Sequence, residues 1–99
     1  MGHPRPKQRK LGKKLRQIRK RLGISQQAMP VRLGRPELHP GRISEYETNE
    51  REPSLFTLLC YANLAGVHLE AIVNDYVDLP DKIPGPVRHP LTPTDPNKA

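Results

Sequence analysis

Tryptophan is absent from this 99-residue chain, and Phe56 is its sole phenylalanine. With 34% of residues hydrophobic, any core must be aliphatic and thin, enough for one small domain and not for two. Cysteine is represented by Cys60 alone, which excludes an internal disulfide and fits a reducing, cytoplasmic compartment. No apolar run approaches the roughly 20 residues of a membrane span. The first ten residues are basic and proline-rich where a secretory signal needs an apolar stretch. His3, His39, His68 and His89 lack metal-ligand spacing, and no nucleophile–base pair or phosphate-cradling glycine loop is visible. No metal, no cofactor and no enzymatic activity are therefore expected. Acid is missing as well from the front of the chain: residues 1–21 hold ten Lys or Arg and no Asp or Glu.

What is present is a strong positive balance, 17 Lys and Arg against 10 Asp and Glu. Beyond residue 21 the count reverses to seven basic and ten acidic, so the excess cation belongs to the front end. Such a balance points to a polyanionic partner, of which nucleic acid is the commonest. Residues 1–10 read as a flexible basic arm. At the other end, six of the twelve prolines fall in the last 20 residues, where apolar side chains are sparse. That stretch cannot bury enough surface to offset its ordering entropy, so 78–99 is expected to be an extended or disordered tail. The folded unit is then 11–77.

Within that unit the helical period recurs. Leu11, Leu15, Ile18 and Leu22 form one stripe of a helix whose other faces are cationic, and Gly23 stops it. Ser25 is placed to cap a second helix reaching Leu33, with Gly34 as its stop. A third is predicted from Pro40 to Thr48, proline standing first where its missing N–H costs nothing. Ser54 caps a fourth, with Leu55, Leu58, Leu59 and Ala62 inward and Gly66 at its end. A fifth runs from Leu69 to Tyr76 and buries Leu69, Ile72, Val73 and Tyr76. Nothing alternates long enough to be a strand, so the domain is all-α.

Two short helices joined through Gly34, then a third bearing Ile43-Ser44-Glu45-Tyr46-Glu47, suggest a helix-turn-helix. The ordered set Leu15-Arg16-Gln17-Ile18-Arg19, Leu22-Gly23-Ile24-Ser25-Gln26, Leu33-Gly34, Arg51-Glu52-Pro53-Ser54-Leu55 and Gly66-Val67-His68-Leu69 completes the pattern. It resembles the lambda-repressor-like, Cro/cI-type (XRE) helix-turn-helix family of DNA-binding regulators, with a five-helix domain. Three departures stand out. The turn Arg35–His39 is longer than usual, Asn49 replaces a glycine, and Pro30 replaces a small alanine inside helix 2. An interior proline there removes the bond to the Gln26 carbonyl at a cost of roughly 3 kcal/mol.

At 100° per residue, Ile43, Tyr46 and Glu47 share one side of helix 3 and the two apolar residues turn it inward. Gly41, Glu45 and Thr48 then point outward, flanked by Arg42 and Ser44. There an Arg can take guanine O6/N7 and a Glu can accept from cytosine N4. The resemblance implies that Arg19 pairs with the inward Glu47, and that Gln26 opens helix 2 on a backbone phosphate. Further phosphate contacts are expected from Asn49, Arg51, Lys10 and Lys13, while His39 is either a helix cap or another phosphate contact.

The reading is a double-stranded DNA-binding transcriptional regulator, a small repressor or autoregulator without an effector domain. It would pair as a homodimer through helix 5 with Leu79 and Ile83, and the tail offers a site for a protein partner. The alternatives are an antitoxin-like or adaptor module acting through protein contacts, and a basic RNA chaperone, which the scarcity of aromatics disfavours.

Overall fold

The computed structural model describes residues 10–86. Most of the basic arm (1–9) and the end of the tail (87–99) therefore lie outside the described residues. Five helices follow in order, α1 (Leu11–Arg21), α2 (Met29–Leu33), α3 (Pro40–Glu47), α4 (Leu55–Ala65) and α5 (Leu69–Val73), with no strand among the described residues. α1 packs against α3, α4 and α5, and α2 against α3 and α4. Leu15, Ile18, Met29, Ile43, Tyr61 and Ile72 are fully enclosed at the centre.

α2 is shorter than its sequence pattern predicts. Ser25 does accept the Ala28 N–H through its hydroxyl at 3.1 Å, but residues 26–28 form a turn and the helix begins at Met29. Pro30 is thus in the first turn, where an N–H has no intrahelical partner and a fixed φ suits the helix. The interior-proline penalty does not arise. The long turn after Gly34 (φ +80°) is fastened at both ends. Leu38 packs against the core, and Arg35 Nη1 donates to Thr57 Oγ1 at 2.7 Å while its guanidinium lies over the Phe56 ring.

Two predicted faces are corrected. On α4 the buried residues are Thr57, Leu58, Tyr61, Ala62, Leu64 and Ala65, whereas Leu55 and Leu59 are 63% and 40% exposed. α4 is apolar nearly all round, so hydrophobicity alone cannot select its inner face. α5 stops at Val73 instead of Tyr76, and Tyr76 is 97% exposed. The backbone turns extended at Asn74, whose Oδ1 accepts the Tyr76 N–H at 2.9 Å.

The ordered chain continues past residue 77. Lys14 is expected on a cationic face but is buried, its ammonium donating to the carbonyls of Ala71 (2.8 Å), Asn74 (2.7 Å) and Val77. The first two are carbonyls at the end of α5, where a cation is favoured, and that of Val77 belongs to the turn that follows. Burial lowers the Lys14 pKa, against the opposing charges of Asp75 and Asp78. Beyond it Leu79 is buried, Pro80 accepts from Arg21 Nη1 at 2.8 Å, and Gly85 N–H donates to Ala65 at 2.9 Å. Residues 74–86 form a strap across α1 to the end of α4. Leu79 therefore fills this chain's own core and is no spare surface for a dimer, and Ile83 is half-buried.

Candidate nucleic-acid interface

α3 is set by its two ends. At the start His39 is extended and its Nδ1 accepts the Gly41 N–H at 2.9 Å, so the residue serves as the helix cap, followed by Pro40 in the first position. At the finish Asn49 takes a left-handed conformation (φ 64°), the conformation that asparagine tolerates better than most. The reversal lets the N–H groups of Glu50 and Arg51 both reach the Glu45 carbonyl, at 2.9 and 3.2 Å. Asn49 also has a second task. Its Oδ1 accepts the Gly12 N–H at 3.0 Å, satisfying one of the open donors at the start of α1.

That junction explains Gly12, which the sequence pattern does not single out. A Cβ there would lie 2.6 Å from the Glu47 carbonyl oxygen and 2.8 Å from that of Tyr46. Only glycine lets the front of α1 sit on the back of α3. Two turns along the same flank of α1, Arg19 grips Glu47 through Nε–Oε2 (2.6 Å) and Nη2–Oε1 (3.1 Å), and donates from Nη1 to the Ile24 carbonyl at 3.0 Å. The Glu47 side chain is 3% exposed and Arg19 11%. The bond to Glu47 raises the Arg19 pKa further above its ordinary value. Gln26 Nε2 adds a third donor to Glu47, at 3.1 Å. Gln26 is thus in the turn before α2 and tied inward, a correction to its expected place at a helix start. Tyr61 is enclosed nearby with its hydroxyl unpartnered, and burial together with the Glu47 charge pushes its phenol pKa up.

With Ile43, Tyr46 and Glu47 buried, the opposite face of α3 offers Gly41 and Thr48, exposed, and Arg42, Ser44 and Glu45, half-buried. The Thr48 hydroxyl donates back to the Ser44 carbonyl at 3.1 Å. Glu45 lies between two arginines, its Oε1 2.9 Å from Arg51 Nε and 3.4 Å from Arg42 Nε. The fold thus presents one rigidly seated helix with a polar, arginine-bearing outer face. Residues 15–72, more than half of the chain, match the helix-turn-helix family. The chain belongs to the Cro/cI-type helix-turn-helix family. It is a DNA-binding regulator. No curated protein and no solved structure matches it significantly.

The remaining expected contacts of this helix-turn-helix protein scatter. Lys10 and Lys13, both exposed, line an open recess of about 320 Å³ with Asp78 and Asp81, so two anticipated phosphate contacts stand beside carboxylates. Arg16 is not among the contacts expected from the sequence. It is exposed and lies four residues after Gly12 and three before Arg19, on the flank of α1 that meets α3. The spacing from Gly12 and Arg19 was the available signal, but it has meaning only once those two are known to touch α3. No helix among the described residues is long and apolar enough to cross a membrane.

Proposed function

We propose that the protein is a sequence-specific reader of double-stranded DNA, a small repressor or autoregulator acting in the cytoplasm. The observation that carries this is the division of α3 into a locked inner side and an outer side bearing Gly41, Arg42, Ser44, Glu45 and Thr48. Seated in a major groove, that outer side reads base edges, and exposed Gly41 lets the backbone approach. Phosphates fall to exposed cations at its margins, Arg51 and Arg16 foremost, with Lys10 and Lys13 on α1 and its approach, while the exposed ring of His39 offers a further contact from the start of α3. Gln26 and Asn49 support α3 from behind and hold phosphates less directly. One such helix contacts few base pairs, so a two-fold dimer on paired half-sites is the natural assembly. The exposed Tyr76 and Val77 just beyond α5 are its contact.

The test is enrichment of bound duplexes from a random library, repeated with Arg42→Ala. The parent should return a two-fold motif, and the variant should lose preference at one base of each half. If both enrich the same motif, α3 does not read DNA in this orientation. Light scattering that gives a monomer both free and on the enriched duplex overturns the dimer. A second reading, an antitoxin-like or adaptor module, draws on the exposed apolar stripe Leu55, Phe56 and Leu59 of α4. It predicts that Phe56→Ser abolishes regulation in the cell while DNA affinity is untouched. Of the C-terminal tail that would serve such a partner, residues 87–99 lie outside the described residues.

A further inference from the structure

Resting on that DNA-reading function, we propose that Glu45 does not read a base itself. It is a positioning residue that aims Arg42 at guanine and is in turn braced by Arg51. Both arginines approach the same carboxylate oxygen, Glu45 Oε1, and both do so through Nε. Arg51 Nε donates a hydrogen bond, whereas Arg42 Nε stands at ion-pair distance; a guanidinium whose Nε edge faces the carboxylate in this way keeps its two terminal nitrogens, which form a flat end suited to the O6 and N7 of guanine. Among the described residues the Arg42 terminal nitrogens have no protein partner, and Arg42 lies on the outer side of α3. A long arginine left to itself loses rotamer freedom when it binds. One already biased toward a carboxylate one helical turn away, as Arg42 is at 3.4 Å from Glu45, loses less.

The brace answers an electrostatic objection. A lone carboxylate on a DNA-facing surface is repelled by phosphate, so a glutamate here needs a cation of its own. Arg51 supplies it at 2.9 Å, and its place is fixed by the backbone, because its N–H reaches the Glu45 carbonyl through the left-handed turn at Asn49. The three side chains together carry one net positive charge, so the cluster remains attractive to DNA. Arg42 supplies the guanine contact, Glu45 its direction, and Arg51 the neutralisation.

The experiment uses the full chain and the duplex enriched from the random library. Guanine at the position lost in Arg42→Ala is replaced by 7-deazaguanine, which lacks the N7 acceptor. The parent should then bind about fivefold weaker or more. In Glu45→Ala the same replacement should matter less, because Arg42 is no longer aimed; Arg51→Ala should weaken binding to every duplex, because the Glu45 charge loses its second cation, and thermal melting of each variant verifies that the fold is intact. Glu45→Gln separates the two roles of the carboxylate. Its amide oxygen still accepts from arginine, so the enriched motif should keep its guanine. A glutamate that reads cytosine directly would instead give way to adenine, the base a glutamine prefers. That cytosine-to-adenine change, or an unaltered 7-deazaguanine effect in Glu45→Ala, overturns the inference while leaving DNA reading intact. Failure to enrich any duplex overturns both.

Discussion

Arg19→Ala separates a charge pair that holds α1 on α3 from one that merely accompanies their packing. The substitution deletes two bonds to Glu47 and one to the Ile24 carbonyl, and leaves a carboxylate whose side chain is 3% exposed with the Gln26 amide alone. Breaking a buried pair from one side costs on the order of 3–5 kcal/mol. A small domain has roughly 5–15 kcal/mol in all, so the loss is a large share of it. With a urea dependence near 1 kcal/mol per molar, the unfolding midpoint should fall by about 3 M or more, read by circular dichroism. The companion variant, Arg19→Met with Glu47→Leu, removes both charges and fills the space with apolar atoms. Such exchanges are often neutral or stabilising, so most of the loss should return. A single variant within about 0.5 kcal/mol of the parent, weakened only in DNA binding, would refute the reasoning and make Arg19 a phosphate contact. A double variant no better than the single would locate the cost in shape and not in the stranded charge.

Gly12→Ala should lose about 1–3 kcal/mol although alanine is the better helix former, because its methyl meets two backbone carbonyls of α3 at under 3 Å; a thermal melt equal to the parent's counts against that close junction. Tyr61→Phe removes a buried hydroxyl that has no partner, so its melting temperature should stay level or rise, and a fall of several degrees would reveal a bond that the hydroxyl makes. Lys14→Met should cost about 2 kcal/mol at neutral pH by uncovering three carbonyls. Because burial puts the folded pKa of Lys14 below its unfolded value of 10.5, the unfolded chain holds the extra proton between those two values. The parent should therefore gain stability relative to Lys14→Met as pH rises through that window, and a pH-independent difference would contradict the desolvation of Lys14.

The helix order was legible because each signal was local: the Leu11, Leu15, Ile18 stripe, the glycine stops at 23, 34 and 66, and the caps before α3 and α4. What failed was information carried between elements. Pro30 reads as an interior breaker only while Ser25 is taken as the helix start, and the turn at 26–28 moves that start. α4 could not choose its face alone, since the choice is made by what α1, α2 and α5 press against it. Proline density at the end of the chain argued for an open tail. Yet Leu79 reaches the core, and prolines reduce the entropy lost when a segment with an anchor is ordered.

The functional surface was obscured for a related reason, which is that a charge count treats every cation as available. Lys14 stands three positions after Leu11 and four before Ile18, within the apolar stripe itself, and is buried. Arg19 is consumed by Glu47, Arg21 by the Pro80 carbonyl and Arg35 by Thr57 and Glu37. Lys10 and Lys13 share their recess with carboxylates. The formal charge of +7 therefore overstates the cation that the described domain can offer to phosphate. On the proposed reading, the described domain offers phosphate few contacts, at the margins of α3, and Arg42 carries the discrimination. Composition pointed to the polyanion, but only the partner of each side chain separates the cations that build the domain from those left to meet it.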